Sequence, residues 1–325
     1  MSPIRIAVAA LAALLAVMPG TSRAAADYPS RAVKMIVPYP PGGGTDLLAR
    51  VLGQELSQRW NEPVIVENVG GAGGNVGAEE VARAAPDGYT LLLGSPGPLA
   101  TNPLVYKRMP YDPAKWEPIA VVATSPYVLV VSPKFPAASL AQVIAGAKAK
   151  PGRLTAATPG LGSLGQLATL EFQTLAQVKL LEVPYKGLSP AVADLLGGNV
   201  DMMFDMMATA LPLHRAGKER IVAVGAPARV AQLPDVPTLA EAGVPDYRAV
   251  TFFGLVAPPG TPAALAERIN RDVVTCLQDP GFVEKTKALG MDLAPGSRAA
   301  AARFMREQRE LWSKAAKAAD LKPAQ

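Results

Sequence analysis

The chain has 325 residues, half of them hydrophobic and 18% charged, which excludes a disordered protein and leaves room for two domains or one large one. A formal charge of +5 without any run of lysine or arginine argues against a nucleic-acid partner. One cysteine (Cys276) and one histidine (His214) rule out an internal disulfide and remove most metal sites, zinc among them, together with a serine–histidine–acid triad as a general reading. No cofactor, metal or catalytic residue is therefore assigned.

Residues 1–26 read as a secretory leader: a basic start, an apolar core over 6–17, a Pro19-Gly20 break, and a small-residue cleavage site after Ala24 or Ala26. The core is shorter than the roughly 20 apolar residues of a bilayer anchor. Removing Arg5 and Arg23 with the leader lowers the formal charge from +5 to +3. The mature chain is expected to be soluble and exported.

Residues 33–37 form an apolar, β-branched run suited to a buried strand. Pro38-Tyr39-Pro40-Pro41-Gly42-Gly43-Gly44 suits neither strand nor helix, and a helix then begins with Thr45 as its expected N-cap. Three glycines let backbone N–H groups turn toward one point, and the helix adds its positive end. The turn can thus hold a small anion without a lysine, although a ligand-free connection would use the same residues. Asp46 has a helix-dipole role by default. Because it would repel a ligand carboxylate, it is expected to orient a loop amide, a water, or a ligand ammonium or hydroxyl.

A second strand over 63–67 leads into the glycine-rich stretch 68–77, which fits a dinucleotide fingerprint only loosely and is discounted. A third strand over 89–93 runs into Gly94-Ser95-Pro96-Gly97. Strands alternating with helices imply a parallel sheet covered on both faces, with ligands outside the carboxyl ends of the strands. Residues 127–131 make a fourth strand, after which the design restarts. A capping box at Ser139 opens a helix, 154–157 is a strand, and Thr158-Pro159-Gly160-Leu161-Gly162-Ser163 leads into a second box closed by Gln166. The Ser163 hydroxyl either caps that helix or meets a ligand directly.

Residues 179–183 feed Pro184-Tyr185-Lys186-Gly187, with Ser189 as the expected N-cap of a short helix. A strand over 200–205 ends in Asp205, and further strands cover 221–224 and 250–256. A long amphipathic helix starts after Thr261-Pro262, and Ser297 caps the last one, to about residue 319. Two α/β units result, the second inserted in the first, with crossings near Ser125 and Val250. The expected division is 27–124 plus 251–325 for one lobe and 125–250 for the other, with a double hinge and a cleft between them. Cys276 is expected to be buried and inert on its helix, and His214 to sit at a helix end.

From residue 28 onward the chain resembles the Bug-type extracytoplasmic solute receptors, the binding components of tripartite tricarboxylate transporters. The resemblance rests on Pro38-Tyr-x-Pro-Gly-Gly-x-Thr-Asp46, Val66-Glu-Asn68, Pro86-Asp-Gly-Tyr89, Pro184-Tyr-Lys-Gly187, Gly197-Gly-x-Val-Asp201, Leu233-Pro-Asp-Val-Pro-Thr238 and Ala257-Pro-x-Gly-Thr-Pro262. It implies an α/β periplasmic-binding-protein type II fold that closes on a small carboxylate held by backbone groups and ordered waters. The chain departs from the family at Gln166, where a histidine is common, and at Phe253, where a tryptophan often stands.

The expected ligand-binding residues are Tyr39, Pro40, Gly42, Gly43, Gly44, Thr45 and Asp46 on the first loop, Ser95, and Thr158, Pro159, Gly160, Gly162 and Ser163 on the second. Tyr185 and Asp205 complete the set, each with a packing role as the alternative. The expected partners are a small carboxylate (a di- or tricarboxylate, an amino acid or an aromatic acid) and either transporter membrane subunits or a sensor kinase. A monomer in the periplasm is expected. The competing reading is an exported enzyme, for instance a hydrolase with Asp46 or Asp205 as base.

Overall fold

A computed structural model describes residues 28–160 and 163–318; the leader at 1–26 and Gly162 lie outside the described residues. The apolar run forms strand β1 (Val33–Val37), which the following Pro–Gly segment ends because its prolines have no N–H to give a ladder. Helix α1 (Gly44–Trp60) buries Leu48, Ala49, Leu52 and Leu56 and stops at Asn61 in the left-handed region (φ 51°). Its N-cap is Gly43 rather than the expected Thr45, and no side chain caps it. Strand β2 (Val64–Asn68), helix α2 (Asn75–Ala82) and strand β3 (Thr90–Gly94) follow.

Strand β4 (Glu117–Val131) runs for 15 residues, far longer than the stretch from Tyr127 that the sequence suggests. Pro118, Ser125 and Pro126 hide its first part. Next come α3 (Leu140–Ala149), β5 (Thr155–Thr158), α4 (Leu164–Ala176), β6 (Leu181–Pro184) and α5 (Leu188–Gly197). Strand β7 (Met202–Met206), helix α6 (Met207–Arg215) and strand β8 (Arg220–Val224) come next. The chain returns in β9 (Val250–Ala257) and finishes with α7 (Ala263–Leu277), α8 (Pro280–Ala288), β10 (Asp292–Leu293) and α9 (Arg298–Ala318). These elements belong to the compact unit that begins at Arg31.

The strand order is β2-β1-β3-β9-β4-β7-β5-β6, with β8 and β10 also pairing with β4. Strands β1, β2 and β3 are parallel, but β9 lies antiparallel between β3 and β4. The sheet is therefore mixed rather than wholly parallel. The returning strand runs opposite to both of its neighbours.

Residues 117–126 of β4 pair with β9, and residues 127–131 pair with β7 and β8. The change of partner falls at Pro126, which has no N–H to give a ladder. Ser125 stands opposite Thr251 and Pro126 opposite Val250, so these residues are neighbours across one antiparallel ladder.

Alternation along β4 divides its side chains between two cores. Tyr127, Leu129 and Val131 join Phe172, Phe204 and Tyr247, whereas Val128 and Val130 join Leu195, Met203 and Leu211. Burial on both faces is why this stretch reads as an unbroken apolar run. A third core gathers Ile36, Leu92, Val256 and Met305 around the first strands.

Candidate ligand site

The carboxyl ends of β1, β2, β3, β5, β6 and β7 open into one cavity of about 600 Å³. Pro38, Tyr39, Pro40 and residues 43–46 line it after β1, Gly71, Ala72, Gly73 and Gly74 after β2, and Ser95 and Gly97 after β3. Pro159, Gly160 and Ser163 line it after β5, residues 185–189 after β6, and Met206 at the end of β7. Strand-end loops carry sites in open α/β sheets because the following helices begin there.

The N-caps of α1 (Gly43), α2 (Gly74), α4 (Ser163), α5 (Gly187) and α6 (Met206) all line this cavity. Each helix start carries roughly half a positive charge and several N–H groups without an intrahelical partner. Of the five caps only Ser163 uses a side chain, which accepts from the Gln166 N–H at 3.2 Å. The cavity is thus surrounded by partial positive charge with little formal charge of its own.

Asp46 does not confront the ligand space as a bare carboxylate. Its Oδ2 accepts from the Gly42 N–H (2.9 Å) and from Arg50 Nε (3.1 Å), and its Oδ1 accepts from Asn68 Nδ2 (3.0 Å). Burial pushes the carboxyl up, but the hydrogen bonds from Arg50, Gly42 and Asn68 outweigh it and hold the group below the usual range. Asn68 also donates to the Tyr39 carbonyl at 3.1 Å, so the network ties the loop to the edge of β2. Of the roles open to Asp46, orienting a loop amide is the one on view. Gly42, at φ 89°, holds a conformation that favours glycine and aims its N–H at Asp46 instead of into the cavity.

Tyr39 and Ser95 share a hydrogen bond of 2.7 Å in which either oxygen can donate. Two hydroxyl hydrogens serve one mutual bond, so one stays available to a ligand. Burial raises the Tyr39 phenol well above its ordinary value, which keeps it a donor. The Ser163 hydroxyl is committed within the protein, donating to the Gly160 carbonyl (2.7 Å) while it caps α4. The Tyr185 hydroxyl donates to Asp194 at 2.5 Å, and its phenol is pushed up to about 12, by burial first and by that carboxylate second. The Ser189 hydroxyl donates to the Pro41 carbonyl (2.9 Å), joining the first loop to the start of α5.

Of the expected residues, Tyr39, Pro40, Gly43, Gly44, Thr45, Asp46, Ser95, Pro159, Gly160, Ser163 and Tyr185 line the cavity. Gly42, Thr158 and Asp205 are not among the lining residues. Thr158 is buried at the end of β5, its hydroxyl without a partner. Strand alternation sends Asp205 to the face opposite Met206, where burial first and Glu219 second raise its carboxyl well above the ordinary value. An enzyme built on these acids meets two obstacles: Asp46 is held as a hydrogen-bonded anion, and Asp205 faces away from the cavity. His214 accepts from the Ile221 N–H (3.2 Å), a structural contact, and Cys276 is buried. No metal-ligating cluster occurs among the described residues.

The expected set omits Gly71–Gly74 as well as Gly97, Tyr106, Tyr127, Met206 and Gly187–Ser189, all of which line the cavity. The strand-end rule that selects the first loop also points to the loops after β2 and β6. Tyr106 and Tyr127 carry no such signal, since one lies in irregular chain and the other inside a strand.

This architecture and cavity define a solute-binding receptor of the periplasmic-binding-protein class. Residues 48–321 match the model of the tripartite tricarboxylate transporter family receptor, and the chain belongs to that family. BugT of Bordetella pertussis is 41% identical over 265 residues, 81% of each chain. Rpa4515 of R. palustris, solved with adipate, superposes with a TM-score of 0.89 at 37% identity, covering 91% of this chain and 100% of that one. MatC (Rpa3494) of Rhodopseudomonas palustris, solved with malate, gives 0.84 at 31% identity, covering 89% and 100%. These relatives are solute-binding proteins rather than enzymes, and so is this chain. Among the described residues no helix is long and apolar enough to cross a membrane.

Proposed function

We propose that the chain is an exported periplasmic receptor that captures a small carboxylate in this cavity and presents it to tripartite tricarboxylate-type membrane subunits. The observation that carries the reading is the convergence of helix N-termini on a cavity whose one buried lining acid, Asp46, is already neutralised by Arg50. An anion gains from such a field, with Lys186 in the lining as a basic side chain besides. Four or five charge-assisted hydrogen bonds at about 1.5–3 kcal/mol each give a gross gain near 10 kcal/mol. Immobilisation and closure offset part of it, which leaves micromolar binding, about −8 kcal/mol, within reach.

Capture is proposed to involve closure of 27–124 plus 251–325 upon 125–250, with the flex at the neighbouring β4 and β9 crossings. The adipate and malate of the structural neighbours support the carboxylate class. A sensor in place of the transporter would use the same capture step. The receptor acts as a monomer.

The test is a thermal-shift panel on residues 27–325 with adipate, malate, citrate, glutamate, benzoate and nicotinate. A ligand present at 100 times its Kd stabilises by about 2.7 kcal/mol and raises the melting temperature. No shift with any carboxylate, or turnover of one that binds, would overturn the reading.

A further inference from the structure

The deep wall of the cavity holds a feature that carboxylate capture by helix ends leaves unused. Tyr127 lines the cavity although only 2% of its surface is exposed. It is the first residue of β4 beyond Pro126, where the strand leaves β9 for β7 and β8. Both of its backbone groups are engaged: its N–H donates to the Ala249 carbonyl (2.8 Å), and its carbonyl accepts from the Gly225 N–H (2.7 Å). Its side chain shares a face with Met206, directly opposite in the ladder and also lining the cavity. The ring is thus held by a fixed backbone and a packed core.

The hydroxyl has no hydrogen-bond partner among the described residues, whereas those of Tyr39 and Tyr185 each have one, and the remaining cavity phenol, Tyr106, is only half-buried. Burial raises this phenol well above its ordinary value, with Asp205 and Tyr39 adding to the effect, so it remains a proton donor at any working pH. A donor at the cavity wall with no protein partner gives its hydrogen to solvent or to a ligand acceptor in the cavity.

We propose that Tyr127 determines specificity by donating to a second oxygen acceptor on the ligand, at the end remote from the captured carboxylate. The ligand class is then a bifunctional carboxylate: a dicarboxylate, keto acid or hydroxy acid rather than a simple alkyl or aryl monocarboxylate. The available hydrogen of the Tyr39–Ser95 pair lies in the same cavity and gives such an acceptor a second donor. A site with a committed donor rejects an analogue lacking the acceptor more strongly than an apolar pocket rejects a missing methylene. The proposal rests on the receptor reading above and deepens it.

The experiment is calorimetric titration of residues 27–325, wild type and Tyr127→Phe, with two matched pairs: adipate against hexanoate, and succinate against butyrate. Each pair differs by one acceptor group. Wild type is expected to prefer the diacid at least roughly tenfold, a difference of about 1.4 kcal/mol. Tyr127→Phe should lose most of that ratio while its affinity for the monoacid stays within about twofold, because the ring is kept and only the donor is removed. An unchanged ratio, or equal weakening of both members of a pair, would assign Tyr127 to packing and overturn the proposal while the receptor reading stands. A wild type that prefers the monoacid would overturn it as well. Silence of every carboxylate in the thermal-shift panel would remove the receptor reading itself, and this inference with it.

Discussion

After β1 the chain caps α1 with Gly43 and leaves the first amides of that helix without a side-chain partner, whereas after β5 it caps α4 with Ser163, whose hydroxyl both donates to Gly160 and accepts from Gln166. The two turns look alike in sequence, each a Pro/Gly run closed by a hydroxyl residue. In the first, Thr45 falls inside the helix and the order comes instead from Asp46, which binds Gly42, Arg50 and Asn68 behind the loop. In the second, the hydroxyl itself supplies the order. The comparison teaches that the first loop offers amides held by a network outside the cavity, while the second contributes shape and the end of its helix dipole.

The largest effect that follows is at Gly44. A Cβ there would lie 2.9 Å from Met206 Sδ and 3.3 Å from Ala208 Cβ, on the start of α6. Overpacking of this kind costs about 1–3 kcal/mol. Gly44→Val is expected to weaken carboxylate binding by roughly 100-fold, since the burden falls where the loop must approach α6. Calorimetric titration measures it, with circular dichroism to confirm that the fold persists. Affinity within about threefold of wild type would mean that the first loop is not a close-contact element.

Asp46→Asn should come next, with a loss of roughly tenfold in affinity, because the loop keeps its shape less well once the Arg50 pair is gone. The pH dependence has a definite sign. The Asp46 carboxyl is depressed below its ordinary value of 3.8, so its stabilisation is complete above that pH and is lost as pH falls through the folded value. The wild-type melting temperature should therefore drop on acidification below about pH 4, and Asp46→Asn should flatten that part of the profile. An identical acid limb in the variant would show that other carboxylates dominate it.

Much of this architecture is legible because local chemistry and tertiary context agree. The run at β1 coincides with its strand, and Ser139, Ser163 and Ser297 each cap the helix they precede. Cys276 lies buried on α7. The misplacements arise where backbone geometry outranks side-chain preference. Gly43 and Gly187 displace Thr45 and Ser189 as N-caps; at Gly187 the entry conformation is one that glycine adopts without a steric penalty, whereas Gly43 is in ordinary extended backbone. Gly187, at φ 139°, also leaves space that a Cβ would close to 3.1 Å from Pro40. The first part of β4 is hidden by prolines that a strand tolerates, Pro118 at a register shift against β9 and Pro126 where the partner changes. Tyr127 illustrates the limit for the site: in sequence it is one more apolar strand residue, and only the register with Met206 turns it toward the cavity.

The smallest effect belongs to Ser163, and it is the sharpest test of the contrast between the loops. Ser163→Ala removes a helix cap, which costs about 1 kcal/mol and lowers the melting temperature by about 2–4 °C. If the hydroxyl serves only α4 and Gly160, affinity should change by less than about threefold once the loss of stability is allowed for. Ser163→Gly, which keeps a tolerable cap conformation, should recover most of that stability with the hydroxyl still absent. The two variants separate capping from contact: a capping role predicts that stability differs between them and affinity does not. Equal, large losses of affinity in both, with the melting temperature restored in the glycine variant, would place the hydroxyl on the ligand. The second loop would then work as the first does, by direct donation, and the difference between the two turns would reduce to which atom gives the hydrogen.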